Sequence, residues 1–197
     1  MKALVIDTET NRLARFGEDA TADGQPRLCS LAATLLDPAG SEQSLYSLIK
    51  PNWEWDDELH REAFDVNGLI YEQLMDEGEE IVDVLTRYDA MVDECDVIVG
   101  FSLPFDQKVI RGEQRRVGRP DRYGERPTFD VRWPCQKIIG GKWLTLSKIV
   151  EEILGEEMEG AHSADVDVAY TVKLYLHLSD MGLVVPKPQV SKETRAA

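Results

Sequence analysis

The chain has 197 residues, of which 22 are basic and 37 acidic, giving a formal net charge of −15 with 43% hydrophobic and 30% charged residues. That balance describes one globular domain long enough to bury a sizeable core, and it excludes a disordered chain. So negative a charge argues against a simple nucleic-acid coat protein, but not against an enzyme that gathers carboxylates around bound cations.

No apolar run approaches the roughly eighteen residues that a membrane span needs. Met1-Lys2 leads straight into a core strand with no separate leader-like stretch, so no membrane contact and a cytoplasmic location are expected. Cys29, Cys95 and Cys135 are odd in number and lack a metal-type spacing, so they are expected to be reduced and packed.

In chain order, "ALVIDTE" has the pattern of a buried strand. "LCSLAATLLDPAG" continues as a second strand closed by a Pro-Ala-Gly turn, and "QSLYSLIKP" as a third stopped by Pro51. Their short spacing predicts a meander. The polar segment from Arg12 to Pro26 is a loop.

After Pro51 the period lengthens. "DDELHREAF" and the stretch from Gly78 to Cys95 are predicted helices, the second with Ile81, Val82, Leu85, Tyr88, Met91 and Val92 on one stripe. "DVIVGF" is a fourth strand. "PFDQKVIRGEQRRVG" is a helix with Pro104 in its first turn and Gly118 at its end. "PTFDV" is a short fifth strand, followed by helices in "TLSKIVEEILG" and "SADVDVAYTVKLYLHLSDMG", the last capped by Ser163 and Gly182. The order describes one α/β domain over residues 1–182, with a flexible tail over 183–197.

Two carboxylates, Asp7 and Glu9, sit two residues apart at the end of the first strand, so their side chains share one face. Asp106 lies in "VGFSLPFD", in the first turn of the helix after the fourth strand. Asp167 lies in "HSADVD", five residues after His162 and in the first turn of the last helix. Helix starts favour negative charge, so either aspartate alone could be no more than a dipole partner. Order and placement together carry the weight: Asp-x-Glu, then Phe-Asp, then His-x-Ala-x-x-Asp.

In these motifs the chain resembles the DEDDh family of 3′→5′ exonucleases, which includes the proofreading subunit of the bacterial replicative polymerase, RNase T and oligoribonuclease. "VNGL" at 66–69 and "FDV" at 129–131 resemble connecting segments of the same family. Many members have His-Asn where this chain has Phe101-Ser102, and Thr-Gly-Leu where it has Thr10-Asn11-Arg12. The resemblance implies a ribonuclease H-like fold, a mixed five-stranded central sheet flanked by helices. It also implies hydrolysis at the 3′ end of single-stranded DNA or RNA, releasing nucleoside monophosphates. A homodimer or a polymerase subunit is the kind of assembly it leaves open. The alternative is a non-catalytic module that binds a nucleic-acid end or a polymerase.

Four converging carboxylates would repel by roughly 4 kcal/mol per pair at about 4 Å. An all-oxygen ligand set suits two ions of Mg²⁺ or Mn²⁺. The implied roles are Asp7 as a ligand shared by both ions, Glu9 and Asp167 on the ion that activates water, and Asp106 orienting the site. His162 is the implied general base, since an ordinary histidine titrates near neutrality.

Around them, Thr8, Thr10 and Phe105 are candidate substrate contacts. From Lys108 to Lys148 eleven basic residues face four acidic ones. Arg115, Arg116, Arg119 and Arg122 are therefore expected to guide the strand. Asp165 is expected to serve the helix dipole, Asp130 to cap the following helix, and His60 and His177 to be ordinary helix positions. Trp53 and Trp55 could stack on a base or pack at the base of their loop.

Overall fold

The alternation along the first strand dictates how the sheet is covered. A computed structural model describes residues 1–120, 122 and 125–187. In it β1 (Ala3–Thr10) is the middle strand of five. β2 (Leu28–Leu36) and β3 (Glu42–Leu48) follow as an antiparallel meander, while β4 (Val97–Gly100) and β5 (Thr128–Asp130) add in parallel on the other side. The spatial order is β3-β2-β1-β4-β5. The parallel strands end together, with Val5 level with Val99 and Gly100 level with Asp130. Helix starts can converge on that edge.

Among the described residues seven helices accompany the sheet: α1 (Asp57–Asn67), α2 (Tyr71–Glu77), α3 (Ile81–Glu94), α4 (Pro104–Arg116), α5 (Arg132–Ile138), α6 (Leu146–Leu154) and α7 (Ala164–Asp180). Leu4 and Ile6 point to one face and pack with Leu85 and Tyr88 of α3 and Ile110 of α4. Ala3 and Val5 point to the other and pack with Ile149 of α6 and Leu174 of α7. Period two then puts Asp7 and Glu9 on the α7 face and Thr8 on the α4 face. Among the described residues no helix is long and apolar enough to cross a membrane, and all three cysteines are buried and unpaired.

Four expectations need correction. Val82 is 47% exposed, and Val84 takes its place in the α3 stripe; the buried positions then run i, i+3, i+4, i+7 as a helix requires. The helices α2 and α5 have no counterpart in the sequence pattern, because seven residues are too few to display a period. Residues 183–187 are not a loose tail: Thr128 and Lys187 exchange two backbone hydrogen bonds, of 2.9 and 2.7 Å, at the free side of β5. The rest of that expected tail, 188–197, lies outside the described residues. His60, finally, is buried on α1 and not an ordinary helix position: its Nδ1 accepts from the Asp56 amide and its Nε2 lies 2.6 Å from Arg12.

Candidate active site

The carboxylates meet because three elements end or begin at one sheet edge. Asp7 and Glu9 leave β1 just before the strand pairing slips between Glu9 and Thr10, and such an irregularity re-aims side chains. Asp167 comes from the first turn of α7, the helix packed on the Asp7 face. Asp106 comes from the first turn of α4, on the Thr8 face, and Thr8 Oγ1 donates to its Oδ1 at 2.7 Å. Thr8 is buried and committed to positioning Asp106. The expected substrate contact there is therefore replaced by a structural one, for the period-two reason already given.

The turn from β4 into α4 is tight. A Cβ on Gly100 would come within 2.8 Å of Leu103 Cδ1, so a larger residue there would force the buried Leu103 side chain to move. Ser102 follows at φ 61°, in the left-handed region where asparagine is favoured over most residues. Its amide is held by Asp130 Oδ1 at 3.0 Å, and the same oxygen accepts from the Arg132 amide at 3.1 Å. Asp130 thus holds the first amide of α5, and not of the later helix it was expected to cap, and it also fastens the turn leading to Asp106. The His-Asn departure leaves a turn held by an aspartate from the neighbouring strand.

The electrostatics are those of crowded, dehydrated anions. Burial, then the charges of Asp106, Asp167 and Glu9, push the Asp7 carboxyl well above its ordinary range. Glu9 is pushed up to about 8 by burial and by Asp167 and Asp106, with a hydrogen bond from Asn67 offsetting part of the rise. Asp106 rises to about 7 through burial against the lowering effect of Thr8, and Asp167 to about 6, again chiefly by burial. Among the described residues, no Lys or Arg forms an ion pair with any of the four. Buried anions without counterions call for cations or protons. The donor set, carboxylate oxygens only, fits hard divalent cations.

His162 precedes α7 at φ 70°, its side chain exposed and its backbone amide donating to Asp167 Oδ1 at 3.2 Å. A bulky residue in this conformation is strained, which is common at working sites. One ligand-capable atom each from Glu9, His162 and Asp167 all lie within 4.8 Å of one another. Asp165, beside them, is exposed and accepts from Ser163 Oγ at 2.5 Å, apart from the carboxylate cluster.

Thr10 and Phe105 line a cavity of about 420 Å³ that opens beside Glu9, with Leu13, Leu59 and Val66 as its apolar walls. Sequence reasoning missed most of this wall, because its residues come from a loop and from α1 with no shared motif. Asn67 was legible only as part of "VNGL". Trp53 and Trp55 pack with His60 and Phe64 of α1 and with Tyr71 of α2, and Trp55 keeps 37% of its surface exposed.

The four arginines expected to guide the strand are paired elsewhere than with the four carboxylates. Arg115 reaches Asp19 at 3.1 Å, Arg116 reaches Glu113 at 3.0 Å, Arg119 reaches Asp89 at 2.7 Å, and Arg122 pairs with Asp93. They staple α4 and the segment after it to the 12–26 loop and to α3. Ten residues separate Asp106 from Arg116, about 15 Å along the helix. The expected strand-guiding role is corrected accordingly: apart from Glu113, the partners lie outside the basic stretch, where counting along the chain could not find them.

No curated protein matches the chain in sequence. Among solved structures, E. coli exonuclease I in complex with a dT13 oligonucleotide is similar at TM-score 0.69 and 17% identity, covering 90% of this chain and 41% of that one. The zinc-ion-bound form of an E. coli exonuclease I–single-stranded DNA complex gives 0.67 and 18%, covering 91% and 40%. A 3′-exonuclease described for 3′-end-specific recognition of a histone mRNA stem-loop gives 0.73 and 13%, covering 97% and 68%. The chain thus spans about two-fifths of the exonuclease I chains it resembles. These likenesses concern the fold. The model of the RNase_T exonuclease family matches residues 4–175, and with that match over nearly the whole described chain, this protein belongs to the RNase_T exonuclease family.

Proposed function

We propose that the protein is a divalent-metal-dependent 3′→5′ exonuclease that removes nucleoside monophosphates from the 3′ end of single-stranded DNA or RNA. One observation carries this reading: four carboxylates from β1, α4 and α7 crowd together with raised pKa values and, among the described residues, no basic side chain paired with them. Asp7, Glu9, Asp106 and Asp167 would hold the ions, and Mg²⁺ or Mn²⁺ suits their oxygens. When bound, the ions offset the cluster's charge, lower the pKa of a water and stabilise the departing 3′ oxygen.

The chain's own residues supply the rest. Thr8 and the helix start hold Asp106 in its rotamer. Asn67 braces Glu9 from the α1 side. The His162 imidazole, exposed on a loop beside Glu9 and Asp167, would take the proton of the attacking water at a ring nitrogen. The cavity walled by Leu13, Leu59, Val66 and Phe105 has the size and apolar lining for one terminal nucleoside. Its position beside Glu9 supports attack at the last phosphodiester.

The test is incubation of the pure protein with 3′- and 5′-labelled single-stranded oligonucleotides of DNA and RNA. Parallel arms contain Mg²⁺, Mn²⁺, Zn²⁺ or excess EDTA. Stepwise shortening from the 3′ end with Mg²⁺ or Mn²⁺ and none with EDTA is expected. Binding without shortening in every arm would leave the non-catalytic module instead. We propose a cytoplasmic setting as well, in keeping with three unpaired cysteines, and cell fractionation tests it.

A further inference from the structure

Arg115 and Arg116 of α4 are paired with carboxylates, whereas most of the basic residues in the stretch directly after β5 are not. From Val131 to Val150 the chain has four basic residues, Arg132, Lys137, Lys142 and Lys148, and no acidic one. Lys148 pairs with Glu151. Among the described residues, Arg132, Lys137 and Lys142 form no ion pair with a carboxylate. In a chain of net charge −15, this is a local positive surface facing solvent.

Two tryptophans stand in the same surface. Trp133, in the first turn of α5, is 53% exposed, and Trp143, in the loop before α6, is 68% exposed. Their ring centroids lie 6.1 Å apart with the planes at 67°. The Arg132 guanidinium lies 3.2 Å from the centroid of the Trp143 ring, and it also contacts Ser102 Oγ and the Leu144 carbonyl. One face of Trp143 is thereby covered by a cation and its orientation held, while much of the ring remains open to solvent. Adjacent exposed tryptophans are an uncommon use of large apolar side chains unless something covers them.

The place is continuous with the carboxylates. Asp130 Oδ1 bonds both the Arg132 amide, at the start of α5, and the Ser102 amide, in the turn that leads to Asp106. The aromatic pair therefore stands at the sheet edge where β4 and β5 end, on the β5 side of the site. The cavity beside Glu9 opens on the α1 side. A strand whose 3′ end enters that cavity would leave the carboxylates toward the tryptophans.

We infer that Trp133 and Trp143, oriented by Arg132 and flanked by Lys137 and Lys142, form a stacking platform for bases of the single strand upstream of the cleaved bond. This rests on the reading under Proposed function. Flat indole faces beside cations suit any base and a phosphate backbone, so the platform would act without regard to sequence. Its role is to hold longer strands; a dinucleotide would be too short to reach it.

Two measurements separate this inference from the reading it rests on. The first is the ratio of kcat/KM on a DNA dodecamer to that on a dinucleotide, for the wild type, Trp133→Ala/Trp143→Ala and Trp133→Phe/Trp143→Phe. The alanine pair is expected to reduce the ratio by at least about five-fold, as loss of one stacked base implies, and the phenylalanine pair to recover most of it. The second is quenching of tryptophan fluorescence by a phosphorothioate dodecamer in EDTA, which needs no hydrolysis; it should fall by more than half in Trp143→Phe. Quenching without hydrolysis in the wild type would sink the exonuclease reading and keep the platform. An unchanged ratio and unchanged quenching in an active enzyme would overturn the platform. Sedimentation of the same proteins covers the other occupant: a wild-type dimer that the alanine pair converts to monomer, with the ratio unchanged, would make the surface an interface between copies and also overturn the inference.

Discussion

Replacing Glu9 with Gln should stabilise the metal-free protein, and only at high pH. The Glu9 carboxyl is moved from an ordinary 4.5 to about 8, which corresponds to on the order of 5 kcal/mol between its two ionisation states. Below pH 4.5 the group is protonated in both the folded and unfolded chain and contributes no penalty. As pH rises, the unfolded chain ionises first, so the fold progressively loses stability until the native carboxyl also ionises near pH 8. Asp7, Asp106 and Asp167 share that environment and would redistribute their protons, so about half of the full figure, ~2–3 kcal/mol, is the expected gain for Glu9→Gln. For a domain of this size that is a rise in Tm of roughly 5–10 °C at pH 9 and none at pH 4. The assay is thermal unfolding in excess EDTA across that range. Added Mg²⁺ or Mn²⁺ should raise the wild-type Tm at pH 8 and the variant's by less, because one ligand is gone. A variant that melts below the wild type at pH 9, or a difference independent of pH, would refute the reasoning.

Asp7→Asn and Asp167→Asn should each abolish oligonucleotide shortening while leaving a folded protein, checked by circular dichroism beside the labelled-strand assay; wild-type rates in either variant would remove the metal-ligand assignment. His162→Gly suits the backbone at φ 70° and should lower kcat by about 100-fold or more with the metal dependence of Tm nearly unchanged; collapse of that dependence with normal kcat would make His162 a ligand. Arg119→Ala should cost about 2–3 kcal/mol in urea unfolding, because it leaves Asp89, only 6% exposed, without its ion partner. Its effect on oligonucleotide affinity should be negligible, and a marked loss of affinity would restore Arg119 to strand binding.

What the chain reveals without its fold is governed by short-range rules. A strand's period of two pairs Asp7 with Glu9, a helix start accepts Asp106 and Asp167, and the apolar runs describe one α/β domain. These features depend on residues within a few positions of one another, so they are visible along the sequence. The same local rule, applied to β1 once its two faces are known, explains why Thr8 turns away from Asp7 and toward Asp106. That step required knowing that α4 covers one face and α7 the other.

The tertiary structure decided everything that depends on distant partners. A surplus of arginines after Asp106 looks like a strand guide until Asp19, Asp89 and Asp93 arrive from other segments to neutralise it. His60 has the sequence setting of an ordinary helix residue, and only the fold places Arg12 against it. The raised pKa values of the carboxylates likewise follow from burial and mutual approach, which no spacing along the chain specifies. Charge and hydrogen-bonding capacity are written residue by residue, but their energetic consequence is set by which groups the fold brings within a few ångströms and how much water it leaves between them.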